Sequence, residues 1–538
     1  MSSTRSVLEE VIDTGEEEGG SIEFKESLSK TIHLSDDKRN SLVAQLRHRV
    51  LSGDGTATYV VGVTDDGDIK GLEQSEFEET VDVLSLLSQE ANAHISDTET
   101  VYISDAEEPR LVGMVTVQDG QKTPEDTNHL VVGTAGHVDH GKSTLIGTLV
   151  TGTTDDGDGA MRSYLDVQPH EVERGLSADL SYAVYGFTED SEPLRLDNPT
   201  RNQERSDIVA EASRLVSFVD TVGHEPWLRT TIRGLVGQRL DYGLLVVSAT
   251  DGVTKTTREH LGVMLAMNLP VIVTITKSDL VEEDQLQKVE LQLEKLLRTT
   301  NCNALLGTRY SNEDIISELS DSVVPIIRTS AVTGDGMDRL DELFANLPKT
   351  QEEDNDGDFE MYIDKTYVVE GVGTVVSGTV KAGTIQEGDE VALGPTVSGD
   401  YINTKARSIE IHYHRVDEAK SGQLISVALQ NVKADQVERG MVLAESPKPS
   451  VREFEADVMI LNHPTKVSTG YEPVIHLETI SETVSLDPDG TLLPGDTGQT
   501  GVRFKFGSYA IEEGQRFVFR EGSSKGVGTV TNITKIAD

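Results

Sequence analysis

The sequence predicts a multidomain chain: a small α+β domain at the N-terminal end, an α/β domain on a mainly parallel sheet, and two C-terminal β-barrels. Three observations carry this prediction. Short continuous apolar runs at 130–133, 215–220, 244–248, 271–276 and 324–329 alternate with helical segments. Such runs need cover on both faces, as in a parallel sheet. Beyond residue 358 come about 180 residues of short strands broken by Gly and polar turns, a spacing that suggests barrels. The length, 538 residues, suits three to four domains of roughly 100–200 residues each.

Each block is justified in turn. In residues 1–126, 21–28 reads as a strand, and Asp36 and Asp37 are cap candidates for a helix that places Leu42, Val43, Leu46 and Val50 on one face. Residues 56–63 are β-rich and end at the turn Asp65-Asp66-Gly67. Residues 77–87 form a second amphipathic helix, and 101–104 and 111–117 are closing strands. No catalytic constellation stands out there. The α/β block covers 127–349, with a Leu-rich covering helix at 289–297. Residues 350–358 are an acidic run that reads as solvated spacer. The barrels follow at 359–447 and 451–538, divided near Pro447 and Pro449.

Composition narrows the function classes. The chain has 47 basic and 93 acidic residues, a formal charge of −46, and a sequence pI near 4.5. One cysteine, Cys302, excludes a disulfide framework and points to a reducing, cytoplasmic setting. No apolar run approaches about 18 residues, and residues 1–13 lack an h-region, so no membrane partner is expected. The acidity is spread along the chain. We read it as a surface adapted to molar intracellular salt, as in halophilic archaea. At 1 M salt the Debye length is about 3 Å, so self-repulsion is screened. A long-range basic patch adds little to RNA binding in such salt, so the missing basic footprint leaves an RNA partner open. DNA is not expected.

The chemistry begins at Gly136-His137-Val138-Asp139-His140-Gly141-Lys142-Ser143-Thr144. This matches G-x-x-x-x-G-K-[ST] between an apolar strand and a helical segment, the context the motif requires. Its amides can approach phosphate oxygens at a helix N-terminus. Lys142 would reach the β- and γ-phosphates, and the Ser143 hydroxyl would ligate Mg²⁺. Asp220-Thr221-Val222-Gly223 ends the next strand as D-x-x-G: the carboxylate would hold Mg²⁺ through water, and the Gly223 amide would sense the γ-phosphate. Thr276-Lys277-Ser278-Asp279 ends another strand, and a carboxylate there can accept from both guanine N1–H and the 2-amino group. Ser330-Ala331 ends the last, where a backbone amide can meet guanine O6. All lie at carboxyl ends of strands, where ligands bind in open α/β sheets. Each tetrapeptide alone is an ordinary turn; their order after the correct strands points to GTP.

These motifs, with Asp220-Thr221-Val222-Gly223-His224 and the barrels behind them, resemble the translational GTPases of the elongation factor Tu and elongation factor 1-alpha superfamily. Residues 372–380, Glu387-Gly388-Asp389 and 438–442 are similar to the second domain of those factors. Within the superfamily the chain resembles the GTP-binding protein 1/2 family, on Leu461-Asn462-His463-Pro464-Thr465, residues 514–522, Thr276, and the segment from Glu23-Phe24-Lys25 through 53–62. The resemblance implies a GTP-hydrolysing switch acting with the ribosome or tRNA. It implies that His224 positions the attacking water, and that Val138 and Leu176 form an apolar gate holding it back. It also implies that Asp139 helps bind a monovalent cation, K⁺ in a potassium-rich cytoplasm.

Three departures stand out. Switch I reads Arg174-Gly175-Leu176-Ser177 where the family carries R-G-I-T, so Ser177 takes the Mg²⁺ and γ-phosphate role of the Thr. Thr276 replaces the usual Asn; it can donate one hydrogen bond but cannot supply both amide functions. Val222 replaces a common Pro. Residues 188–207 are an added polar segment that reads as a surface loop. Of the remaining polar residues, His412 and His414 are expected to alternate on one strand and share a face. The expected function is an elongation-factor-type GTPase, and a monomer is expected. Two alternatives share the architecture: a GTPase adaptor that links mRNA to RNA-decay machinery, and a regulatory GTPase subunit of a metabolic enzyme.

Overall fold

A computed structural model describes residues 21–33, 38–39, 42–43, 45–46, 49–50, 56–64, 67–91, 93–103, 110–119, 128–164, 181–198, 202–221, 232, 234–320, 322–350, 354–369, 372–463, 465–522 and 524–536. The chain divides into two compact units, one within residues 1–123 and 369–373 and one within 124–368 and 374–538.

The first unit is a four-stranded sheet in the order β1-β2-β4-β3, from β1 (Ile22–Lys25), β2 (Thr56–Val61), β3 (Ala93–Ile103) and β4 (Arg110–Asp119). β1 and β2 are parallel, and the remaining pairs are antiparallel. The helix α1 (Gln74–Glu90) buries Phe77, Val83, Leu84 and Leu87 in a core shared with Val43, Leu46 and Val50. β3 begins well before the expected 101–104. It lies at the sheet edge with Ser96, Asp97 and Thr98 exposed, so apolar alternation is weak in its first half. The cap candidates Asp36 and Asp37 lie outside the described residues.

The second unit opens with an eight-stranded sheet. Its strands are β5 (Asn128–Gly136), β6 (Ser181–Phe187), β7 (Pro193–Leu194), β8 (Arg214–Asp220), β9 (Tyr242–Ser248), β10 (Val271–Thr276), β11 (Asn303–Leu306) and β12 (Val323–Arg328). Their order is β11-β12-β10-β9-β5-β8-β6-β7. Only β6 and β7 run antiparallel to their neighbours, so the sheet is mainly parallel as expected. Alternate residues of β5 feed the two faces: Leu130 and Val132 enter one core, Val131 and Ala135 the other. The covering helices are α2 (Lys142–Thr151), α3 (Asn202–Glu211), α4 (Lys255–Ala266), α5 (Glu283–Thr299), α6 (Asn312–Ser317) and α7 (Met337–Asn346). Their starts are written locally: Thr254 and Ser311 each close a capping box at α4 and α6. α5 buries Leu286, Val289, Leu293, Leu296 and Leu297, one stripe at helical spacing. Cys302 is buried beside it.

The segment 188–207 is not a plain surface loop. It carries the β6–β7 hairpin and enters α3, because Leu196 and, just beyond the segment, Ile208 and Val209 are buried in the sheet core.

The first barrel uses β13 (Glu360–Tyr362), β14 (Lys365–Val369), β15 (Gly373–Ala382), β16 (Thr384–Gln386), β17 (Glu390–Gly394), β18 (Ile402–Ile411), β19 (His414–Val416), β20 (Glu418–Lys420), β21 (Leu424–Leu429) and β22 (Val442–Ala444). It closes through β13–β15. The second uses β23 (Ser450–Asn462), β24 (Val474–Leu477), β25 (Ile480–Pro488), β26 (Thr497–Phe504), β27 (Tyr509–Ala510), β28 (Arg516–Glu521) and β29 (Ser524–Ile536), closing through β23–β26. The acidic run is more than spacer. The Asp354 carbonyl accepts from Gly383 N–H at 2.6 Å, and Asn355 Oδ1 accepts from Ser421 N–H at 3.2 Å, fastening 354–355 to the first barrel. Residues 351–353 lie outside the described residues.

His412 and His414 do not share one strand. Ile411 pairs with His414, and His412-Tyr413 form the two-residue turn between β18 and β19, both at positive φ (45° and 69°). The hairpin tip docks on the α/β block. His412 Nε2 and His129 Nε2 both lie 2.7 Å from Ser217 Oγ, and His414 Nδ1 lies 3.0 Å from Ser206 Oγ on α3. Ser217 has one proton, so it donates to one imidazole and accepts from the other. His129 Nδ1 is buried without a hydrogen-bond partner. An unpaired N–H there costs more than a bare lone pair, so His129 carries its proton on Nε2 and Ser217 donates to His412.

Candidate functional site

The sequence motifs meet at the carboxyl ends of β5, β8, β10 and β12. β5 continues to Gly136, three residues past the expected 130–133. A Cβ on Gly136 would stand 2.4 Å from the Val246 carbonyl oxygen, so only glycine lets β5 lie this close to β9. The loop then turns through Asp139 (φ 60°) and Gly141 (φ 84°), and Gly141 opens α2. α2 ends at Gly152, also left-handed, whose N–H closes on the Thr148 carbonyl at 2.8 Å.

Lys142 is buried, with Nζ donating to the carbonyls of His137 (3.2 Å) and Gly136 (3.4 Å). Burial pushes its ammonium down, while Asp220 and Asp139 oppose that shift. Burial pushes the Asp220 carboxyl up, and Lys142, Ser143 and Thr134 pull it back. Asp220 Oδ2 accepts from Ser143 Oγ at 2.7 Å, and Oδ1 accepts from Thr134 Oγ1 at 2.6 Å. Thr221 Oγ1 donates to the Thr134 carbonyl at 2.6 Å. Thr134 carried no signal in the sequence, because a β-branched residue in an apolar strand reads as core; Thr221 stood at a variable position of the D-x-x-G motif and had no role assigned.

His140 is buried and held down at about 4, chiefly by burial; its Nδ1 lies 3.2 Å from the Val246 carbonyl, which makes Nδ1 the protonated atom. His137 Nδ1 lies 3.1 Å from Thr256 Oγ1 on α4. Val138 is half-buried, and Thr144 sits in the first turn of α2. Another buried histidine, His260 on α4, stands near Lys142 and is held down at about 3 by burial first and the Lys142 charge next.

At the opposite end of the site, Asp279 is exposed, and its Oδ1 accepts from Ser330 Oγ at 2.6 Å. Lys277 takes a left-handed φ of 58° before the short turn of helix that carries Asp279. The Ser330 N–H is committed to the Asp335 carbonyl at 2.9 Å, so of the Ser330-Ala331 pair Ser330 orients Asp279 by its side chain. The Ala331 carbonyl accepts from Asp155 N–H at 2.8 Å. Thr276 is turned away from Asp279: its Oγ1 donates to the His140 carbonyl at 2.6 Å.

Leu176 and Ser177, and Val222, Gly223, His224 and Trp227, lie outside the described residues. The chain on either side of 222–231 is anchored. Thr221 is bonded to Thr134; beyond, Gln238 Oε1 accepts from Thr379 Oγ1 at 3.0 Å, and Arg239 reaches Ser421 Oγ at 3.0 Å on the first barrel. Gln238 also donates to Tyr182 OH (3.2 Å), which donates to Asp364 (2.7 Å), itself paired with Arg439.

The Ser143 hydroxyl and Asp220 carboxylate are hard oxygen donors held side by side, and a dication would offset the burial that raises Asp220. They fit Mg²⁺.

Three family descriptions match in series: the elongation factor Tu GTP binding domain over 127–350, elongation factor Tu domain 2 over 373–444, and the elongation factor Tu C-terminal domain over 447–534. GTP-binding protein 1 of Xenopus laevis is 33% identical, covering 93% of this chain and 77% of that protein. GTP-binding protein 2 of Homo sapiens is 32% identical, covering 97% and 88%. Among solved structures, a bacterial selenocysteine-specific elongation factor EF-Sec superposes with a TM-score of 0.57 at 24% identity, over 75% of this chain and 58% of that one. Translation elongation factor SelB of Methanococcus maripaludis, in complex with the GTP analogue GppNHp, gives 0.56 at 22%, over 76% and 80%. These two likenesses concern the fold.

Proposed function

The chain belongs to the GTP-binding protein 1/2 family of elongation factor Tu-type GTPases, and from that premise we propose that it is a GTP-hydrolysing switch acting with the ribosome or tRNA. The observation that carries the reading is the convergence of Lys142, Ser143 and Asp220 in one buried cluster, with Asp279 held by Ser330 at the far end of the same sheet edge.

In this reading the loop from Gly136 to Thr144 cradles the phosphates, with Lys142 as the cation. Gly223 adds an amide. Asp279 accepts from guanine N1–H and the 2-amino group, with the Ala331 amide toward O6. Ser143, Ser177 and Asp220, the last through water, hold Mg²⁺, which when bound neutralises charge on the β- and γ-phosphates. His224 positions the attacking water once a partner engages, with Val138 and Leu176 screening it before then; Asp139 is the candidate for K⁺. Phosphoryl transfer needs positioning and charge stabilisation more than covalent chemistry, so a slow switch triggered by a partner is the natural use of such a site. The proposed division is an N-terminal domain at 1–126, a GTPase domain at 127–349, an acidic linker at 350–358 and two barrels at 359–447 and 451–538.

The test is GTP turnover in molar KCl with and without ribosomes, in the parent chain and in His224→Ala. Strong stimulation in the parent, reduced by roughly 10²-fold in the variant with GTP binding intact, is the expected result. No stimulation with nucleotide binding intact removes the ribosomal role and transfers weight to an RNA-decay partner.

A further inference from the structure

We infer that Thr276 is a tether for the phosphate loop and reads no atom of the base, so that the chain recognises guanine without any contact to its N7. The inference rests on the guanine reading above and names which atom of the base that site leaves unread.

Thr276 closes β10, three residues before Asp279, and is 95% buried. A threonine hydroxyl carries one proton. Here that proton points at the His140 carbonyl, 2.6 Å away; the next acceptor, the Val247 carbonyl, is 3.4 Å away. Both are main-chain carbonyls, that of His140 in the loop and that of Val247 in β9. The Thr276 carbonyl is itself held, accepting from Ala249 N–H at 2.9 Å. The hydroxyl also lies against Gly141: a Cβ there would sit 3.8 Å from Thr276 Oγ1. Thr276 therefore buttons the tip of β10 to the residues that set the left-handed turn before Lys142.

What remains on the oxygen is lone pairs, which only accept. The edge of guanine that Asp279 leaves unread presents N7, which is also only an acceptor, so no hydrogen bond can form between them. An asparagine at this position has two N–H donors and a carbonyl. It could hold the His140 carbonyl and still offer a donor. Threonine cannot do both. Adenine presents the same N7 acceptor, so the missing contact costs affinity and not selectivity. Guanine is told from adenine by Asp279, oriented by Ser330, and by the Ala331 amide.

The test is equilibrium binding of GTP, 7-deaza-GTP and ATP to the full chain, its Thr276→Asn, Thr276→Ser and Thr276→Val variants. In the parent and in Thr276→Ser, GTP and 7-deaza-GTP should bind within about twofold of each other, and ATP far more weakly. Thr276→Asn should open a preference for GTP over 7-deaza-GTP of about fivefold, the scale of one net hydrogen bond. Thr276→Val should weaken GTP and 7-deaza-GTP together, leaving their ratio unchanged, because it loosens the loop and not the base contact. A parent chain that binds 7-deaza-GTP markedly less well than GTP while rejecting ATP overturns the tether inference and leaves the guanine reading standing. A parent chain that binds ATP as well as GTP overturns the guanine reading itself. The parent measurement decides the matter even if a variant does not fold.

Discussion

Ser143 Oγ donates to Asp220 Oδ2 at 2.7 Å, so the first turn of α2 is hydrogen-bonded to the tip of β8. The same carboxylate takes a second hydroxyl from Thr134 on β5. One buried group thus ties three elements of the site together, and it is the group that leads directly into the segment carrying Gly223 and His224.

Thr134→Val tests that tie. It removes the donor to Oδ1 while keeping the shape, and a buried carboxylate left short of a donor costs about 1–3 kcal/mol. The expected outcome is a lower melting temperature and a higher Mg²⁺ requirement for GTP hydrolysis, read from an Mg²⁺ titration. An unchanged titration would show that Asp220 needs no help from β5.

Ser330→Ala addresses the far end of the site. Asp279 is exposed, so without the Ser330 hydroxyl its carboxylate is free to rotate. GTP affinity should fall by roughly 10-fold or more with ATP binding unchanged, the effect of one lost hydrogen bond to a charged group. Isothermal titration with both nucleotides checks it. Asp279→Asn should go further and favour xanthosine nucleotide; undiminished GTP affinity would remove Asp279 from base recognition.

The histidine relay predicts acid lability. Burial, helped by the Lys349 charge, holds His129 at about 3, against 6.5 in the unfolded chain. Burial first, then His129 and Arg205, also push His412 down. Both are depressed, so the stability they contribute is present above pH 6.5 and is lost as pH falls from there toward about 3, where only the unfolded chain binds the protons. Melting curves from pH 7.5 to pH 5 should decline, and the decline should be shallower in His129→Gln and His412→Gln. Equal slopes in parent and variants would remove the relay as the cause.

Two glycines should respond oppositely. Gly136→Ala puts a methyl 2.4 Å from the Val246 carbonyl and should destabilise by about 2–3 kcal/mol with loss of nucleotide binding. Gly262→Ala, inside α4 with nothing within 4 Å of the added carbon, should stabilise by up to about 1 kcal/mol. Denaturant midpoints of the two variants decide it.

Much of the molecule was legible because its signals are local. The continuous apolar runs of β8, β9 and β10 must be buried on both faces whatever surrounds them, and the loop from Gly136 to Thr144 carries its glycines where the backbone turns left-handed. Less legible was whatever depends on a partner distant in sequence. The first half of β3, polar at a sheet edge, gave no alternation to read. Residues 188–207 looked like a loop because their buried contacts belong to a core made elsewhere.

The sequence by itself determined the order of the domains' elements, the nucleotide loop and the family, since periodicity, turn chemistry and short spacing are properties of neighbouring residues. The tertiary structure alone decided where single protons go. A threonine three residues before Asp279 says that one hydrogen bond can be donated; only the fold brings the His140 carbonyl, 136 positions away, to within 2.6 Å and takes it. Likewise His412 becomes a latch on Ser217 only because a barrel hairpin docks there and shuts out water. Hydrogen bonds and desolvation act over a few ångströms in space, and distance along the chain does not report that separation.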